Sequence, residues 1–391
     1  MSLQHRRRQL EHGNCQITEP VSCPQGKLKK MKIKAVRTSL YDIPPEVERV
    51  DAIQTFVSME FPFIEIEDAD GVVGTGFSYT IGTGGEAIKQ IMDAYLTPIL
   101  LEEDASNIDR IWNRMWMDTH WIGRGGIVTL GMAAVDIALW DLMAKRAELP
   151  LYQLLGGARA AVPVYNTDGG WLHLSEDELV RQSVEFVEQG FKGIKIKVGR
   201  DSLHEDVARI FAVRKAIGQE PYLMVDANMK WNAREAIQLA CRVEEAGLFW
   251  FEEPIEADDV DSHVELREKT TIPIAIGETI YNKYVFKEYI AQGAADILQP
   301  DAVRVGGISE WMKVAHTAEC FGLSVSPHFL MDLHVHLSAA VPHSLFVEYI
   351  PSLDPVLMDT LTLRDGHFSP PDRPGHGILF DKQKLTEYQI S

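Results

Sequence analysis

Gly193-Ile194-Lys195-Ile196-Lys197-Val198-Gly199 is the stretch on which the fold turns. Successive side chains of a β-strand point to opposite faces, so Lys195 and Lys197 share one face and Ile194, Ile196 and Val198 the other. The stretch is short, bounded by glycines and flanked by helical patterns. That predicts a strand in a buried parallel sheet rather than a water-facing edge. Two buried ammonium groups are costly unless anions, such as the carboxylates of a metal site, answer them.

Outward from this strand, strand–helix alternation starts at residue 162. Apolar runs at 162–165, 193–199, 222–226, 248–252, 272–278, 296–301, 323–328 and 345–348 are separated by amphipathic stretches such as 176–189 and 205–217. Eight strands with helices between them predict a (β/α)₈-type barrel. The helix after His328 is short and the last connection tight.

The chain before the barrel reads differently. Strands are predicted over 31–41, 56–67 and 72–79, the last two joined by the turn Asp68-Ala69-Asp70-Gly71. Helices follow over 86–101, 107–117 and the alanine-rich 132–146, giving an α+β region. The glycines between 74 and 85 follow a hairpin rather than opening a βαβ unit, so a dinucleotide loop is disfavoured. A mobile loop over a site is the better use of Gly82, Gly84 and Gly85. Segment 42–51, with Pro44 and Pro45, is a second candidate lid. After Pro351 the chain becomes loop-like, alternates again around 360–363 and 378–380, and is expected to return to the first region. The domain plan is therefore a polar, disordered tail (1–30), a cap (31–160), a barrel (161–350) and a returning segment (351–391).

At 391 residues, 46% apolar and 24% charged, the chain has the makeup of a globular protein with room for a large barrel and additions. A net charge of −19 argues against a sequence-independent hold on nucleic acid or on an anionic membrane. No uncharged apolar run approaches the ~20 residues of a membrane span, and Arg6-Arg7-Arg8 has no apolar core after it, so no signal peptide is predicted. Cys15, Cys23, Cys241 and Cys320 form no CxxC. The last two are expected as buried, inert thiols, and a zinc role for Cys15 and Cys23 lacks a second ligand pair. A reducing, cytoplasmic setting and a homo-oligomer are expected.

Barrel chemistry sits at the C-terminal ends of the strands. In order, those ends offer Lys195 with Lys197, Asp226, Glu252, Glu278, Asp301, His328 and Glu348. Acids are common where strands meet solvent, but seven consecutive charged ends exceed that background. Asp226, Glu252 and Glu278 stand on three adjacent strands, and three hard oxygen donors suit Mg²⁺. Glu253 should point away from Glu252, so one of the pair is a ligand. Asp301 and His328 end neighbouring strands, where a carboxylate can fix the imidazole tautomer and leave the other nitrogen as acid or base. Lys197 and His328 would flank a substrate from opposite faces. Lys197 can act as a base near neutral pH only if burial, Lys195 or a metal lowers its pKa.

From Met31 onward the chain resembles the enolase superfamily, mandelate racemase subgroup. The resemblance rests on Lys195-Ile196-Lys197, Asp226-Ala227-Asn228, Glu252-Glu253-Pro254, Gly277-Glu278, Gln299-Pro300-Asp301 with Arg304-Val305-Gly306-Gly307, Ser326-Pro327-His328, and Glu348. It implies a modified TIM barrel of the (β/α)₇β type under an α+β capping domain built from the N-terminal region and the C-terminal tail. It implies one Mg²⁺ on Asp226, Glu252 and Glu278, a Lys197 base and a His328–Asp301 dyad. Glu348 would be an acid hydrogen-bonding the enolate oxygen, and Lys195 would lie close to the substrate carboxylate. The loops near 42–51 and 82–85 would close over the site.

The stretch from Tyr165 to His173 looks most like acid-sugar dehydratases of the galactarate/talarate type, and 300–340 leans the same way. Asn166 and Asn228 are the further candidate substrate contacts, while His334 and His336 are expected on a helix behind the site. The implied reaction is a dehydration: a base removes the α-proton of a sugar acid, and imidazolium protonates the departing β-hydroxyl, leaving a 2-keto-3-deoxy acid. The alternative is a racemase or epimerase using the same two bases. A catalytically idle binding barrel is disfavoured because none of the charged positions is lost. A Schiff-base lysine would not need the three carboxylates.

Overall fold

The computed structural model describes residues 30–101 and 103–391. The tail expected over 1–30, Lys30 apart, and the pair Cys15 and Cys23 lie outside the described residues.

The first region is an antiparallel sheet in the order Ile33–Asp42, Met59–Asp68, Val73–Phe77, with Thr80–Ile81 also paired to Met59–Asp68. Asp68 closes the hairpin turn by accepting from Asp70 N and Val72 N. Helix Gly126–Arg146 packs on this sheet and begins at Gly126, well before the predicted 132. It is apolar on almost every side because it is a core helix. By length and composition it could cross a membrane, but its residues are largely buried inside the protein. Gly76 explains part of the glycine cluster: a Cβ there would lie 2.0 Å from the carbonyl oxygen of Ala134. Gly74 and Gly76 therefore serve close helix–sheet packing, and only Gly82, Gly84 and Gly85 are left to a loop.

All eight expected barrel strands are present: Val162–Asn166, Gly193–Lys197, Tyr222–Asp226, Trp250–Glu252, Ile274–Ile276, Ile297–Leu298, Ser324–Val325 and Val347–Tyr349. They pair in parallel, with the eighth beside the first. A bridge between Val325 and Ser344 brings the seventh to the chain entering the eighth. Each strand but the last is followed by helix, giving the (β/α)₇β pattern. The inside of the barrel is filled by Tyr165, Met224, Trp250, Ala275, Ile297 and Phe346.

The last residues run back along the first sheet. Leu40 N donates to Ser391 O, Asp42 N to Tyr388 O, and the Phe380 ring lies 4.9 Å from Phe63. No strand forms over 360–363; the alternation there belongs to an irregular run, and His367–Phe368 pairs instead with the first barrel strand. Cys241 and Cys320 are exposed rather than buried, because each falls on the solvent side of its helix.

Candidate functional site

Register builds the site before any side chain is considered. Lys197 is paired with Asp226, and Asp226 with Glu252, so three adjacent strands present these side chains in one row. Lys195 lies two residues below Lys197 on the same inward face. Glu348 pairs with Tyr165 on the far side of the ring. Glu278 stands just beyond its strand, after Gly277 at φ +151°, where a Cβ would meet the Gln299 backbone at 2.7 Å. Glycine is the residue that lets the chain pass there.

Strain gathers at the same level. Among the described residues, Asn228, Met229, Glu253, Phe329 and Leu330 all hold positive φ, each just past the end of a strand that carries a candidate group. Such backbone persists only where the surroundings over-determine it, and it clusters at functional sites.

One oxygen each from Asp226, Glu252 and Glu278 lie within 4.8 Å of one another, a spacing able to hold a cation. Glu253 is not part of the set; it turns away and accepts from Thr279 Oγ1 at 2.7 Å. The Lys195 ammonium is fully buried among Glu252 Oε1 at 2.5 Å, Glu348 Oε1 at 2.8 Å and Asp226 Oδ2 at 3.5 Å. Gln299 Nε2 and Trp250 Nε1 donate to the other oxygen of Glu252, at 2.7 and 2.9 Å. Burial, with Asp226, Glu278 and Glu348 around it, pushes the Glu252 carboxyl well above its ordinary range despite Lys195. The site thus carries more negative charge than its lysines balance, and a divalent cation on the three oxygens fits that deficit.

The two lysines are placed differently. Lys195, expected against the substrate carboxylate, lies beneath the cavity and does not line it. Lys197, expected beside Lys195 and Mg²⁺ to be pushed toward neutrality, has its pKa raised by the protein's own groups: burial, the largest effect, and Lys195 work against the charge, but Asp226 Oδ2 at 2.5 Å together with Glu278 and Asp51 outweighs them.

His328 and Asp301 meet as expected. Nδ1 lies 3.1 Å from Asp301 Oδ2, and Nε2 lies 3.1 Å from Glu278 Oε2. Burial opposes the imidazolium, but Glu278 and the Asp301 hydrogen bond raise its pKa to about 9. Glu348 accepts from Thr167 Oγ1 at 2.6 Å and Phe329 N at 2.7 Å. Burial would push its carboxyl up, but Lys195 and His328 hold it at about 2. Asn228 donates to Glu278 Oε1 at 3.0 Å and faces the cavity. Asn166 does not; it is buried and accepts from Gly169 N, shaping the turn after the first strand. His334 and His336 are buried on helix Met331–Ala340, and His334 bridges Phe329 O and Ala302 N behind the site.

Above this floor is a cavity of about 190 Å³. Lys197, Glu278, Asn228 and His328 reach it from below; Asp51, Phe56, Tyr79, Ile81 and Trp171 enclose it. Of the expected lid 42–51 only Asp51 lines the cavity, the wall continuing just beyond it with Ile53, Gln54 and Phe56, while 82–85 does not reach the wall. Arg49 anchors that lid: its fully buried guanidinium donates to Asp168 Oδ1 and Ser352 Oγ, both at 2.9 Å. Trp171 lies between the two cations, its ring 5.8 Å from the Arg49 guanidinium and 5.7 Å from Lys197 Nζ.

Tyr79 and Arg49 were missed by sequence reasoning. Tyr79 Oη donates to Asp301 Oδ2 at 2.9 Å across 222 residues of chain. No local spacing announces such a contact. Arg304 was part of the motif but had no role assigned; it lines the cavity beside Tyr79.

Comparison with known proteins agrees with this architecture. Residues 35–156 match the mandelate racemase / muconate lactonizing enzyme N-terminal domain, and residues 178–384 the family described as enolase C-terminal domain-like. The chain is 39% identical over 360 residues to a 3,6-anhydro-alpha-L-galactonate cycloisomerase of Streptomyces coelicolor, covering 92% of this chain and 99% of that one. It is 41% identical over 331 residues to an L-talarate/galactarate dehydratase of Salmonella typhimurium, covering 84% and 82%. The crystal structure of that dehydratase from strain LT2, liganded with Mg and L-lyxarohydroxamate, superposes with a TM-score of 0.89 at 37% identity, covering 93% of this chain and 94% of that chain. The chain belongs to the enolase superfamily, mandelate racemase / muconate lactonizing enzyme group.

Proposed function

We propose that this enolase-superfamily member is a Mg²⁺-dependent acid-sugar dehydratase acting on a small carboxylate substrate. The observation that carries the reading is one cavity whose wall holds Lys197, His328 and Glu278 of the carboxylate set together. Asp226, Glu252 and Glu278 would hold the ion. When bound, Mg²⁺ would grip the substrate carboxylate and stabilise negative charge developing there.

The chain's own groups do the rest. Lys197 or His328, in its uncharged form, takes the α-proton according to the face presented; a cation on Asp226 and Glu278 would favour that form by offsetting the acids that hold both groups charged. His328, held by Asp301 with Nε2 toward the cavity side, supplies a proton as imidazolium to the departing β-hydroxyl. That hydroxyl leaves as water, and the resulting enol becomes a 2-keto-3-deoxy acid. Lys195 acts from beneath as a positioning residue, holding Glu252 and Glu348 at the floor. Preorganised charge of this kind commonly supplies the largest share of barrier reduction. The division into cap 31–160, barrel 161–350 and returning segment 351–391, and a homo-oligomeric assembly, belong to the same proposal.

Incubation of the Mg²⁺-loaded protein with a panel of acid sugars should give keto acid, trapped as its semicarbazone. Binding of Mg²⁺ with no keto acid from any acid sugar sinks the dehydratase. A racemase or epimerase is the second reading, favoured by the presence of both bases at one cavity. It would place solvent deuterium at the α-carbon in D₂O without loss of hydroxyl.

A further inference from the structure

The aspartate–imidazole dyad of the barrel has a further member, and it comes from the first sheet. Tyr79 stands just past the strand Val73–Phe77 and is buried. Its Oη donates to Asp301 Oδ2 at 2.9 Å, the same oxygen that lies 3.1 Å from His328 Nδ1. The other oxygen, Oδ1, accepts from Val303 N at 3.0 Å, where Asp301 caps the short helix Ala302–Val305. The Tyr79 ring is wedged in place: Phe329 lies 4.8 Å from it, Phe61 6.1 Å, and the Arg304 guanidinium 5.6 Å. Phe329 in turn stacks on His328, with ring centroids 5.5 Å apart.

A phenol has one hydrogen to give. Tyr79 gives it to Asp301, so its oxygen, 3.4 Å from His328 Nδ1, offers that nitrogen no donor. Nδ1 therefore carries the hydrogen of its bond to Asp301, and Nε2 is the atom left to move a proton. An aspartate carboxylate turns easily about its last torsion. A second donor on Oδ2, carried by a ring that cannot shift, removes that freedom. Proton transfer rewards such placement, since a misplacement of about 1 Å can cost two orders of magnitude in rate.

We infer that Tyr79 is a positioning residue for His328: through Asp301 it fixes the imidazole for proton transfer, so that the dyad is completed by a side chain from outside the barrel. The inference rests on His328 as a proton-transfer group, a role that the dehydratase and the racemase share. If Tyr79 served only to pack on Phe61 and Phe329, its hydroxyl would be dispensable.

The test is Tyr79→Phe, which keeps the ring and removes the hydroxyl, in the Mg²⁺-loaded enzyme with the panel of acid sugars. Its kcat for keto acid should fall about 30-fold, as for a lost hydrogen bond to a charged group, with KM within about twofold of wild type. Exchange of the α-proton with D₂O then locates the loss. Where Lys197→Ala still exchanges, His328 is the base, and adding Tyr79→Phe should slow that exchange by about the same factor. Where His328→Asn still exchanges, Lys197 is the base, and adding Tyr79→Phe should leave the rate within about twofold.

A wild-type kcat in Tyr79→Phe overturns the inference, as does a loss carried by KM alone or an equal slowing of the Lys197 exchange. The two readings can fail separately. Exchange without keto acid sinks the dehydratase and leaves the Tyr79 comparison intact. If no acid sugar is exchanged or turned over, the dehydratase fails, and crystal structures of wild type and Tyr79→Phe decide the rest. Asp301 Oδ2 turned out of reach of Nδ1 upholds the positioning role, and an unmoved dyad overturns it.

Discussion

The floor of the site and its roof are built by different means. The floor, Lys195, Asp226, Glu252 and Glu348, comes from strand positions two apart or paired across the ladder, and its charges answer one another. The roof, with Arg49, Asp51, Phe56, Tyr79 and Ile81, comes from loops and strand ends of the cap, and it is largely apolar where it faces the cavity. A floor change disturbs several buried ion pairs at once. Tyr79 apart, a roof change alters one contact to the ligand. Reaction chemistry is therefore locked to the sheet, while substrate choice is left to segments that can vary.

The largest effect should come from Lys197 and His328, which reach the cavity from the floor side. Lys197→Ala and His328→Asn should each lower kcat by about 10³-fold or more, the range for a lost general acid or base. Exchange of the α-proton with D₂O then separates them: one variant should still exchange and stall before hydroxyl loss, and the other should not exchange. If both retain full dehydration, the floor is not where the chemistry lies.

The roof should respond differently. Arg49→Ala removes the partner of Asp168 and Ser352 and frees the lid, leaving a carboxylate that is 13% exposed without its cation. Breaking such a pair costs about 3 kcal/mol, so urea unfolding should show that loss. KM should rise roughly tenfold while kcat falls less, because no reacting group has moved. A kcat collapse matching that of Lys197→Ala would erase the distinction between floor and roof.

The same difference explains what the sequence disclosed. Strands alternate with period two, so Lys195 and Lys197 announced one inward face and the acids at successive strand ends announced the ring. Gly277 and the positive-φ residues mark where that pattern is forced to turn. Nothing periodic marks Tyr79 or Arg49, whose partners lie more than 100 residues away and meet them only through folding. Net electrostatics was also illegible. Lys195 and a metal were expected to lower the Lys197 pKa, but the register sets Asp226 at 2.5 Å, and with Glu278 and Asp51 the protein's own acids raise it against burial and Lys195.

A buried acid without a cation sharpens the comparison further. Glu348, beside Lys195, is held at about 2, whereas Asp332, buried at the start of helix Met331–Ala340, is raised to about 7 by burial and then by the charges of Asp354 and Asp359. An unfolded aspartate ionises near pH 4. Between about pH 4 and 7 the folded protein therefore holds a proton at Asp332 that the unfolded chain has released. Stability contributed there is present at low pH and lost as pH rises through 7, opposite in sign to Glu348. Asp332→Asn should remove that dependence. Urea unfolding from pH 4 to 8 should show the variant close to wild type at pH 4, more stable by roughly 1.5 kcal/mol at pH 5 and by roughly 4 kcal/mol at pH 8. Parallel curves over that range would mean that Asp332 finds a counter-charge when it ionises, and that the floor is not distinguished by pairing its acids with lysine.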